Sequence, residues 1–325
     1  MDTVVRLFPY KLPINTADKW RQGVIVEIED EEGFIGHGEA APLEGFSEET
    51  LSDVLDPSVA LSSEYPSMQF ALDMAHLEIL STKEGKPIRQ LLNPQALDFL
   101  PVHPLIDSAR GDGAQGLSSN KNNLGPVVKL KVGTGRSKSI QEAIDVVNSW
   151  SCEGYMLRVD ANRSWTLDEA LAFAKGVKGA SIDYLEEPLK DPALLADFVA
   201  QTKMPIALDE TLYKNEIESV DLKTISTFVI KPTLIGALAK LQRLVKVANE
   251  HGIQIVISSS FESNLGLRQL TQLAAAWHKE GCPAGLDTAR FFLENLGHFP
   301  MRDYVIDMKA VDKASSAMPY SPAPL

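Results

Sequence analysis

The sequence predicts an α/β protein in which a parallel (β/α) barrel follows a small α+β domain. From about residue 100, short apolar strands alternate with amphipathic helical segments at intervals of roughly 22 to 29 residues, which is the length of one strand, one helix and two loops. Three successive strands also end in a carboxylate. The first hundred residues lack this alternation and predict an antiparallel sheet with two helices instead.

The small domain is predicted from its alternating strands. VVRLFPYKL, GVIVEIED and FIGHGEA have the pattern of an antiparallel meander, and EDEEG at 29–33 predicts a hairpin turn. Helical segments follow around 47–56 and 67–82. The chain from about 291 has no strong period, and we expect it to return to the small domain or to fray. The predicted domains are therefore 1–99, completed by about 291–325, and a barrel at 100–290.

The barrel strands are predicted from their apolar runs. The first lies near 99–105, where Pro101 and Pro104 weaken the pattern. The other seven are predicted at 127–132, 155–160, 181–186, 205–209, 228–231, 253–258 and 283–287. Stretches such as SIQEAIDVVNSW and GALAKLQRLVKVANEHG separate them, and apolar residues recur there at helical spacing.

Composition excludes several classes of function. A formal net charge of −13 argues against a nucleic-acid partner, because such binding depends on neutralising phosphates with Lys and Arg. The sequence shows neither an apolar run long enough to span a membrane nor a signal peptide, so we expect a cytoplasmic protein without a membrane partner. We expect Cys152 and Cys282 to be buried packing residues. A monomer and a homo-oligomer are both compatible with the sequence.

Two lysines stand two residues apart in the strand predicted at 127–132. Because side chains alternate along a strand, Lys129 and Lys131 share one face. The opposite face carries Val128 and Leu130 and suits contact with the outer helices. The lysines then point into the barrel mouth, where anions have to offset their charge. The alternative is an edge strand with two solvated lysines.

Asp160, Glu186 and Asp209 close three successive strands and predict an oxygen-rich site for a hard divalent cation at one rim of the barrel. For Asp160 the usual structural role is already filled, since Thr166 and Glu169 form a capping box for the next helix. This leaves a ligand role for Asp160.

The neighbours of two acids leave the choice of ligand open. Glu186 and Glu187 are adjacent and point opposite ways, so periodicity does not say which enters the site. Asp209 and Glu210 raise the same question, and one of them could cap a loop.

Two further strand ends carry polar residues. Lys231 ends the strand predicted at 228–231, in register with the acids, which favours a functional role over a solvated one. The serines at 258–260 end the following strand. Their hydroxyls and amides suit a carboxylate ligand, and a plain loop is the alternative.

The motifs KLK, DAN, LEEP, LDE and IKPTLIG, in this order and at these intervals, resemble the enolase superfamily in its muconate-lactonizing subgroup. GHGEAAPLEGFSEET, ISSSFESNLGLRQL and GLDTA resemble the o-succinylbenzoate synthase family, and the resemblance covers most of residues 20 to 290. It implies a modified TIM barrel of enolase type, (β/α)7β, that carries the active site, together with an N-terminal α+β capping domain.

The resemblance implies that Asp160, Glu186 and Asp209 bind Mg²⁺ or Mn²⁺, and it favours Glu186 over Glu187. It implies that Lys131 is the general base, with Lys129 beside it. Lys231 takes the opposite-face position, which in this family stabilises the enolate. Further positions that match substrate-binding residues are Arg158, Ser258 and Gly285.

The implied activity is a magnesium-dependent syn-dehydration of a small carboxylate in menaquinone biosynthesis. The nearest alternative is an N-acylamino acid racemase, in which two opposed lysines move protons. A dipeptide epimerase fits less well, because that group resembles a D-x-D pattern where this chain has Gly285, Leu286 and Asp287. A mandelate-type mechanism needs a histidine where the chain has Ser258, and a barrel that only binds a metal or a carboxylate is the non-enzyme alternative. We also expect residues 38–50, with parts of 13–21, to cover the barrel mouth.

Overall fold

The computed structural model describes residues 4–15, 19–56, 65–107, 125–133, 137 and 139–315. The chain forms two compact units. The first unit comprises Met1–Pro101, Ile230–Lys246 and Ile257–Leu325, and the second unit comprises Val102–Val229 and Val247–Val256. In the described ranges no helix has the length and apolar character needed to cross a bilayer. The domain limits predicted at residues 99 and 290 stay a prediction, as does the covering role of 13–21, of which 16–18 lie outside the described residues.

The strands and helices follow in chain order. The strands are β1 Val4–Pro13, β2 Trp20–Glu29, β3 Ile35–Ala40, β4 Phe99–Pro101, β5 Leu105–Ile106, β6 Val127–Lys131, β7 Met156–Asp160, β8 Ile182–Glu186, β9 Ile206–Leu208, β10 Ile225–Ile230, β11 Gln254–Ile257, β12 Met301–Arg302 and β13 Val305–Asp307. The helices are α1 Leu51–Leu55, α2 Pro66–Glu84, α3 Ile88–Leu92, α4 Ile140–Cys152, α5 Leu167–Gly176, α6 Leu195–Thr202, α7 Glu210–Tyr213, α8 Pro232–Ile235, α9 Leu238–His251, α10 Asn264–Trp277 and α11 Met308–Ser315.

The first unit begins with the predicted antiparallel meander, in the order β1-β2-β3. The predicted turn between β2 and β3 is confirmed. Asp30 Oδ1 accepts hydrogen bonds from the amides of Glu32 at 3.0 Å and Phe34 at 2.9 Å. Gly33 has a φ of 84°, a conformation that costs glycine little.

Helix α2 packs closely against β3. A side chain at Gly36 would strike the carbonyl oxygen of Ala75, and one at Gly38 would strike that of Ala71. The two glycines of IGHGEA therefore let the strand backbone approach the helix backbone. The core beneath them is apolar and consists of Val24, Val26, Ile28, Ala40, Val54, Met68, Ala71, Ala75 and Ile79.

The predicted parallel sheet is confirmed. Seven strands lie in consecutive order from β5 to β11, and the five adjacent pairs from β5–β6 to β9–β10 are parallel. One face of β6 is apolar and buried, with Val128 0% and Leu130 1% exposed. This order and direction are those of a (β/α) barrel sheet.

The first predicted barrel strand, at 99–105, is wrong as one continuous strand. Phe99–Pro101 pairs antiparallel with β13, and only Leu105–Ile106 pairs with β6. The physical reason is proline: Pro104 has no amide to donate, although its carbonyl accepts from the amide of Lys129. The last predicted strand, at 283–287, is reduced to a bridge between Ser258 and Gly285.

The last described residues belong to the first unit. Strands β12, β13 and β4 form a small antiparallel sheet, and helix α11 follows. Arg89, 3% exposed, donates to both carboxylate oxygens of Asp312 at 2.6 Å. The amide of Leu97 donates to the carbonyl of Ala275. Segments from both ends of the sequence thus belong to one compact unit, and 316–325 lie outside the described residues.

The two cysteines differ in exposure. Cys282 is buried, as predicted, but Cys152 is exposed, so that part of the prediction is wrong. The reason lies in helix α4, where the buried residues Ala143, Val147 and Trp150 recur at helical spacing. Cys152 ends the helix away from that stripe.

Arg21 joins three segments of the first unit. Its guanidinium, in a residue 5% exposed, donates to the carbonyl oxygens of Ala41, Pro42, Ser260 and Phe261. One buried cation thus satisfies four backbone acceptors that β2 alone could not reach.

We expect Arg21→Met to lower the free energy of unfolding by about 3 kcal/mol or more, because the lost donors leave buried carbonyls unsatisfied. Urea denaturation measures the loss, and limited proteolysis should cut the segment 41–49 faster. The matched control is Arg6→Met on the same sheet. Arg6 pairs with Glu27 and Glu29 at the surface, where solvent screens the ion pairs, so its loss should lower the stability much less. Equal effects of the two variants would contradict the role assigned to Arg21.

Candidate active site

The register of the parallel strands brings polar residues of the second unit side by side. Lys131 lies opposite Asp160, and Asp160 lies opposite Glu186. Two residues earlier in the same strands, Lys129 lies opposite Arg158. Because side chains alternate, these five residues share one face of the sheet.

Four of these side chains form a cluster, which we call the lysine–carboxylate cluster: Lys129, Lys131, Asp160 and Glu186. Lys129 Nζ lies 2.7 Å from each carboxylate oxygen of Glu186 and 3.2 Å from Asp160 Oδ2. Lys131 Nζ lies 3.1 Å from the same Asp160 oxygen. Both acids are 0% exposed and Lys129 is 5% exposed. The alternative of an edge strand with two solvated lysines is therefore wrong.

Lys129 is held as a cation. Burial alone would lower its pKa, but the charges of Asp160 and Glu186 outweigh burial and raise the pKa of Lys129 well above its ordinary value. Lys129 therefore stays protonated at neutral pH. In this cluster it supplies a fixed positive charge rather than a group that exchanges protons.

The two adjacent glutamates have different surroundings. Glu186 points into the cluster, whereas Glu187 anchors the backbone after β9. Glu187 Oε1 accepts from the amides of Asp209 at 2.9 Å and Thr211 at 2.7 Å, and its Oε2 accepts from Arg163 Nε at 3.0 Å. Glu187 is 1% exposed. The carboxylate that sequence reasoning left open thus fixes the backbone of Asp209, the N-cap residue of α7.

We expect Glu187→Ala to lower the free energy of unfolding by about 3–5 kcal/mol, because it removes one partner of a buried ion pair. It also leaves the amides of Asp209 and Thr211 without their acceptor. Chemical denaturation of the purified variant measures the loss. The exposed Glu218 in the same unit gives the control Glu218→Ala, and a Glu187→Ala protein as stable as that control would disprove the anchor.

Asn162 is a member of the site that sequence reasoning missed. Its Oδ1 accepts from Lys131 Nζ at 3.1 Å, and its Nδ2 donates to Glu210 Oε1 at 3.2 Å. Its backbone amide donates to Asp160 Oδ1 at 3.0 Å. The signal was present, because Asn162 stands two residues after the acid in the quoted DAN motif. Asparagine also tolerates the left-handed φ of 47° found here.

Arg158, a predicted substrate-binding residue, is engaged within the barrel wall. It is 1% exposed, its Nε donates to Asp183 Oδ2 at 2.9 Å, and its guanidinium lies 5.1 Å from the centre of the Tyr184 ring. The register of β8 shifts at this point by one residue relative to β7. Burial first, and then the charge of Glu186, raise the pKa of Tyr184. A substrate contact for Arg158 stays a prediction.

The carboxylates of Asp160, Glu186 and Asp209 fit a divalent cation by their chemistry. All three are 1% exposed or less, and hard divalent cations prefer carboxylate oxygens. Together with the charged Lys129, the three acids carry a net charge of two negative units, which one divalent cation balances. As placed, Lys129 Nζ contacts two of the acids. In the described ranges no three His, Cys, Asp or Glu side chains stand close enough to surround a metal.

Lys231 lies in the first unit, directly after β10, and is the N-cap residue of α8. Its carbonyl accepts from the amides of Leu234 and Ile235. Its Nζ lies 5.9 Å from the centre of the Phe46 ring, and Phe46 is 41% exposed. The lysine therefore ends its strand as predicted, next to an aromatic side chain of the segment 38–50.

Ser258 and Gly285 contact each other in the first unit. A side chain at Gly285 would meet Ser258 Oγ at 2.6 Å, so glycine lets the two segments approach closely here. The amides of residues 258–260 donate to Ile230 O, Gly285 O and Glu262 Oε2. The prediction that these amides could bind a carboxylate is therefore not supported by their geometry, and hydroxyl contacts stay a prediction.

Comparison with known proteins gives the family. Residues 122–306 match the model described as "Enolase C-terminal domain-like", and residues 3–79 match "MenC, N-terminal domain". Among solved structures, the L-Ala-D/L-Glu epimerase from Bacillus subtilis has a TM-score of 0.81 at 20% identity, covering 94% of this chain and 95% of that one. A muconate lactonizing enzyme from Pseudomonas fluorescens has a TM-score of 0.79 at 18% identity, covering 94% and 93%. At such low sequence identity, the structural similarity establishes only the enolase-type fold.

Curated relatives are similar over nearly the whole chain. An o-succinylbenzoate synthase of Vibrio cholerae is 36% identical, covering 89% of this chain and 90% of the relative. That of Pasteurella multocida is 33% identical, covering 87% and 88%. Together with the enolase-type barrel and the lysines and acids at its strand ends, these matches show that the chain belongs to the o-succinylbenzoate synthase family of the enolase superfamily.

Proposed function

We propose that the chain is a hydro-lyase that converts 2-succinyl-6-hydroxy-2,4-cyclohexadiene-1-carboxylate to o-succinylbenzoate in menaquinone biosynthesis. The observation that carries the proposal is the position of Lys131, whose amino group lies at the end of β6 beside the buried carboxylate of Asp160, in a chain that matches o-succinylbenzoate synthases along its length. The substrate is a small dicarboxylate, and the cytoplasm is the proposed location.

Lys131 performs both proton transfers. Its neutral amine takes the proton alpha to the ring carboxylate, and the electron pair of the broken C–H bond forms the new ring double bond. The C–O bond breaks on the same face, and the proton that Lys131 holds leaves with the hydroxyl as water. Formation of the aromatic ring makes the reaction favourable, so the enzyme mainly lowers the barrier to proton removal.

Fixed positive charges assist this step. Removing the proton concentrates negative charge on the substrate carboxylate, and the ammonium group of Lys129 is held in place by Glu186 to offset it. Enzymes of the enolase superfamily generally use a divalent metal. We assign Asp160, Glu186 and Asp209 to hold Mg²⁺ or Mn²⁺, which would act as a Lewis acid toward the carboxylate.

The remaining roles follow the family. Lys231 stabilises the developing enolate as an ammonium group and moves no proton. Arg158, Ser258 and Gly285 are assigned to substrate binding. We assign the barrel that carries the site to residues 100–290, and the capping domain to residues 1–99 with about 291–325.

Turnover of the cyclohexadiene carboxylate tests the proposal directly, with formation of the aromatic product followed by absorbance. In parallel, an N-acylamino acid is incubated with the enzyme in D₂O. We expect efficient dehydration and little deuterium incorporation. Efficient exchange from both faces without dehydration would overturn the proposal in favour of a racemase.

The Lys231→Ala variant also distinguishes a dehydratase from a racemase. In the dehydratase this change should lower kcat by about 10² to 10³, as expected for one electrostatic group that stabilises the transition state. Proton abstraction by Lys131 continues at the reduced rate. The matched control is Lys240→Ala, which removes an exposed lysine of the same unit. Complete loss of proton transfer from one face in the Lys231 variant would instead show that Lys231 is an acid/base group.

A further inference from the structure

We propose that Asn162 is the positioning residue of Lys131 and holds its amino group in one place beside Asp160. The inference rests on the proposed function for the role of Lys131, but its structural part does not. Three hydrogen bonds of Asn162 and the conformation of its backbone support the inference.

The amide of Asn162 has only one orientation that satisfies its neighbours. Nδ2 must face Glu210, because the carboxylate Oε1 at 3.2 Å only accepts. Oδ1 must then face Lys131 Nζ at 3.1 Å. In a third contact, the backbone amide of Asn162 donates to Asp160 Oδ1 at 3.0 Å, which ties the same residue to the neighbouring acid. The side chain is therefore fixed at both ends.

Lys131 has two acceptors of different character. Asp160 Oδ2, at 3.1 Å, is a carboxylate and binds an ammonium group better than an amine. The Asn162 oxygen is neutral and accepts an N–H from either form. The two contacts together hold the amino group between Asp160 and Asn162.

The backbone makes this placement rigid. Asn162 and Arg163 have φ values of 47° and 55°, in the left-handed region. Arg163 Nε is bound by Glu187 and its Nη2 donates to Thr211 Oγ1 at 2.7 Å. The amide of Ala161 donates to the carbonyl of Glu186. The turn is thus attached to the strand ends that carry the acids.

The test removes the amide without straining the backbone. Asn162→Gly deletes the side chain, and glycine adopts a positive φ readily. We expect kcat to fall about tenfold to a hundredfold, as for a reacting group displaced by about 1 Å, with KM nearly unchanged. Rates are expressed per site that binds o-succinylbenzoate by calorimetry, so a partly unfolded sample does not imitate the effect. An unchanged kcat per binding site would overturn the proposal.

The control is Asn215→Gly, which replaces an exposed asparagine with a φ of 57° in the same unit. It should retain the kcat and KM of the wild type. A loss equal to that of Asn162→Gly would show that the backbone change alone is responsible, and would also overturn the proposal.

Crystal structures of the variants separate this inference from the proposed function. A wild type that does not dehydrate the substrate refutes the function, whereas the position of Lys131 is still measurable. In Asn162→Gly we expect Lys131 Nζ to leave its observed place, and an unmoved Nζ would overturn the inference. If that variant does not fold, Asn162→Asp keeps an oxygen of the same reach, and Lys131 should stay in contact with it. Displacement of Lys131 in this variant would count against the inference.

Discussion

Lys131→Ala is expected to abolish dehydration. General acid–base catalysis typically contributes about 10² to 10⁴ in rate, and Lys131 is assigned both proton abstraction and proton return. We therefore expect a loss near the upper end of that range. Lys129 should not replace it, because Asp160 and Glu186 raise its pKa well above the ordinary value and keep it protonated.

Steady-state turnover of the cyclohexadiene carboxylate measures the loss, and binding of o-succinylbenzoate shows that the site remains formed. The matched control is Lys223→Ala, which removes an exposed lysine of the same unit and should behave like the wild type. A Lys131→Ala enzyme with a rate comparable to the control would refute the assignment of the base.

Removal of a divalent metal is expected to have an effect of similar size. Chelator treatment should eliminate activity, and added Mg²⁺ or Mn²⁺ should restore it. Three single substitutions should each weaken Mn²⁺ binding by more than about 100-fold: Glu186→Gln, Asp160→Asn and Asp209→Asn. Loss of a residue that only supports a metal ligand already lowers metal affinity by about 10- to 100-fold. Each change removes one of the three carboxylates assigned to the ion.

Equilibrium dialysis or calorimetry with Mn²⁺ measures this binding without any turnover. Glu218→Gln, an exposed glutamate of the second unit, controls for the loss of a charge. Full activity in chelated protein, or unchanged Mn²⁺ affinity in the three variants, would show that these acids do not form the metal site.

Strand periodicity in the sequence predicts the part of the site that lies on the parallel strands. Parallel register alone brings together Asp160 and Glu186, which end their strands, and the two lysines of KLK on the neighbouring strand β6. The alternation of side chains also separates Lys129 and Lys131 correctly from the apolar face of β6. These are local patterns with a period of two residues, and such patterns are visible in a single sequence.

Other features depend on contacts that periodicity does not contain. Alternation could not distinguish Glu186 from Glu187, because the choice is fixed by the amides of the turn after β9. Asn162 was missed because its role comes from a left-handed turn. The first predicted strand was too long because Pro104 interrupts a ladder whose partners lie elsewhere in the chain. Each of these depends on residues remote in sequence or on a single backbone conformation.

The first unit is assembled from segments that lie far apart in the sequence, and this affects how the chain folds. Strand β4 is completed by β13, and the buried Arg89 is neutralised by Asp312. When the ribosome has synthesised the first hundred residues, β13 and Asp312 are therefore still missing. About two hundred further residues must be added before these partners are available. Such non-local closure slows folding and leaves apolar surface exposed meanwhile. We infer that removing helix α11 would leave the buried Arg89 without its carboxylate partner, so this part of the first unit becomes complete only late in synthesis.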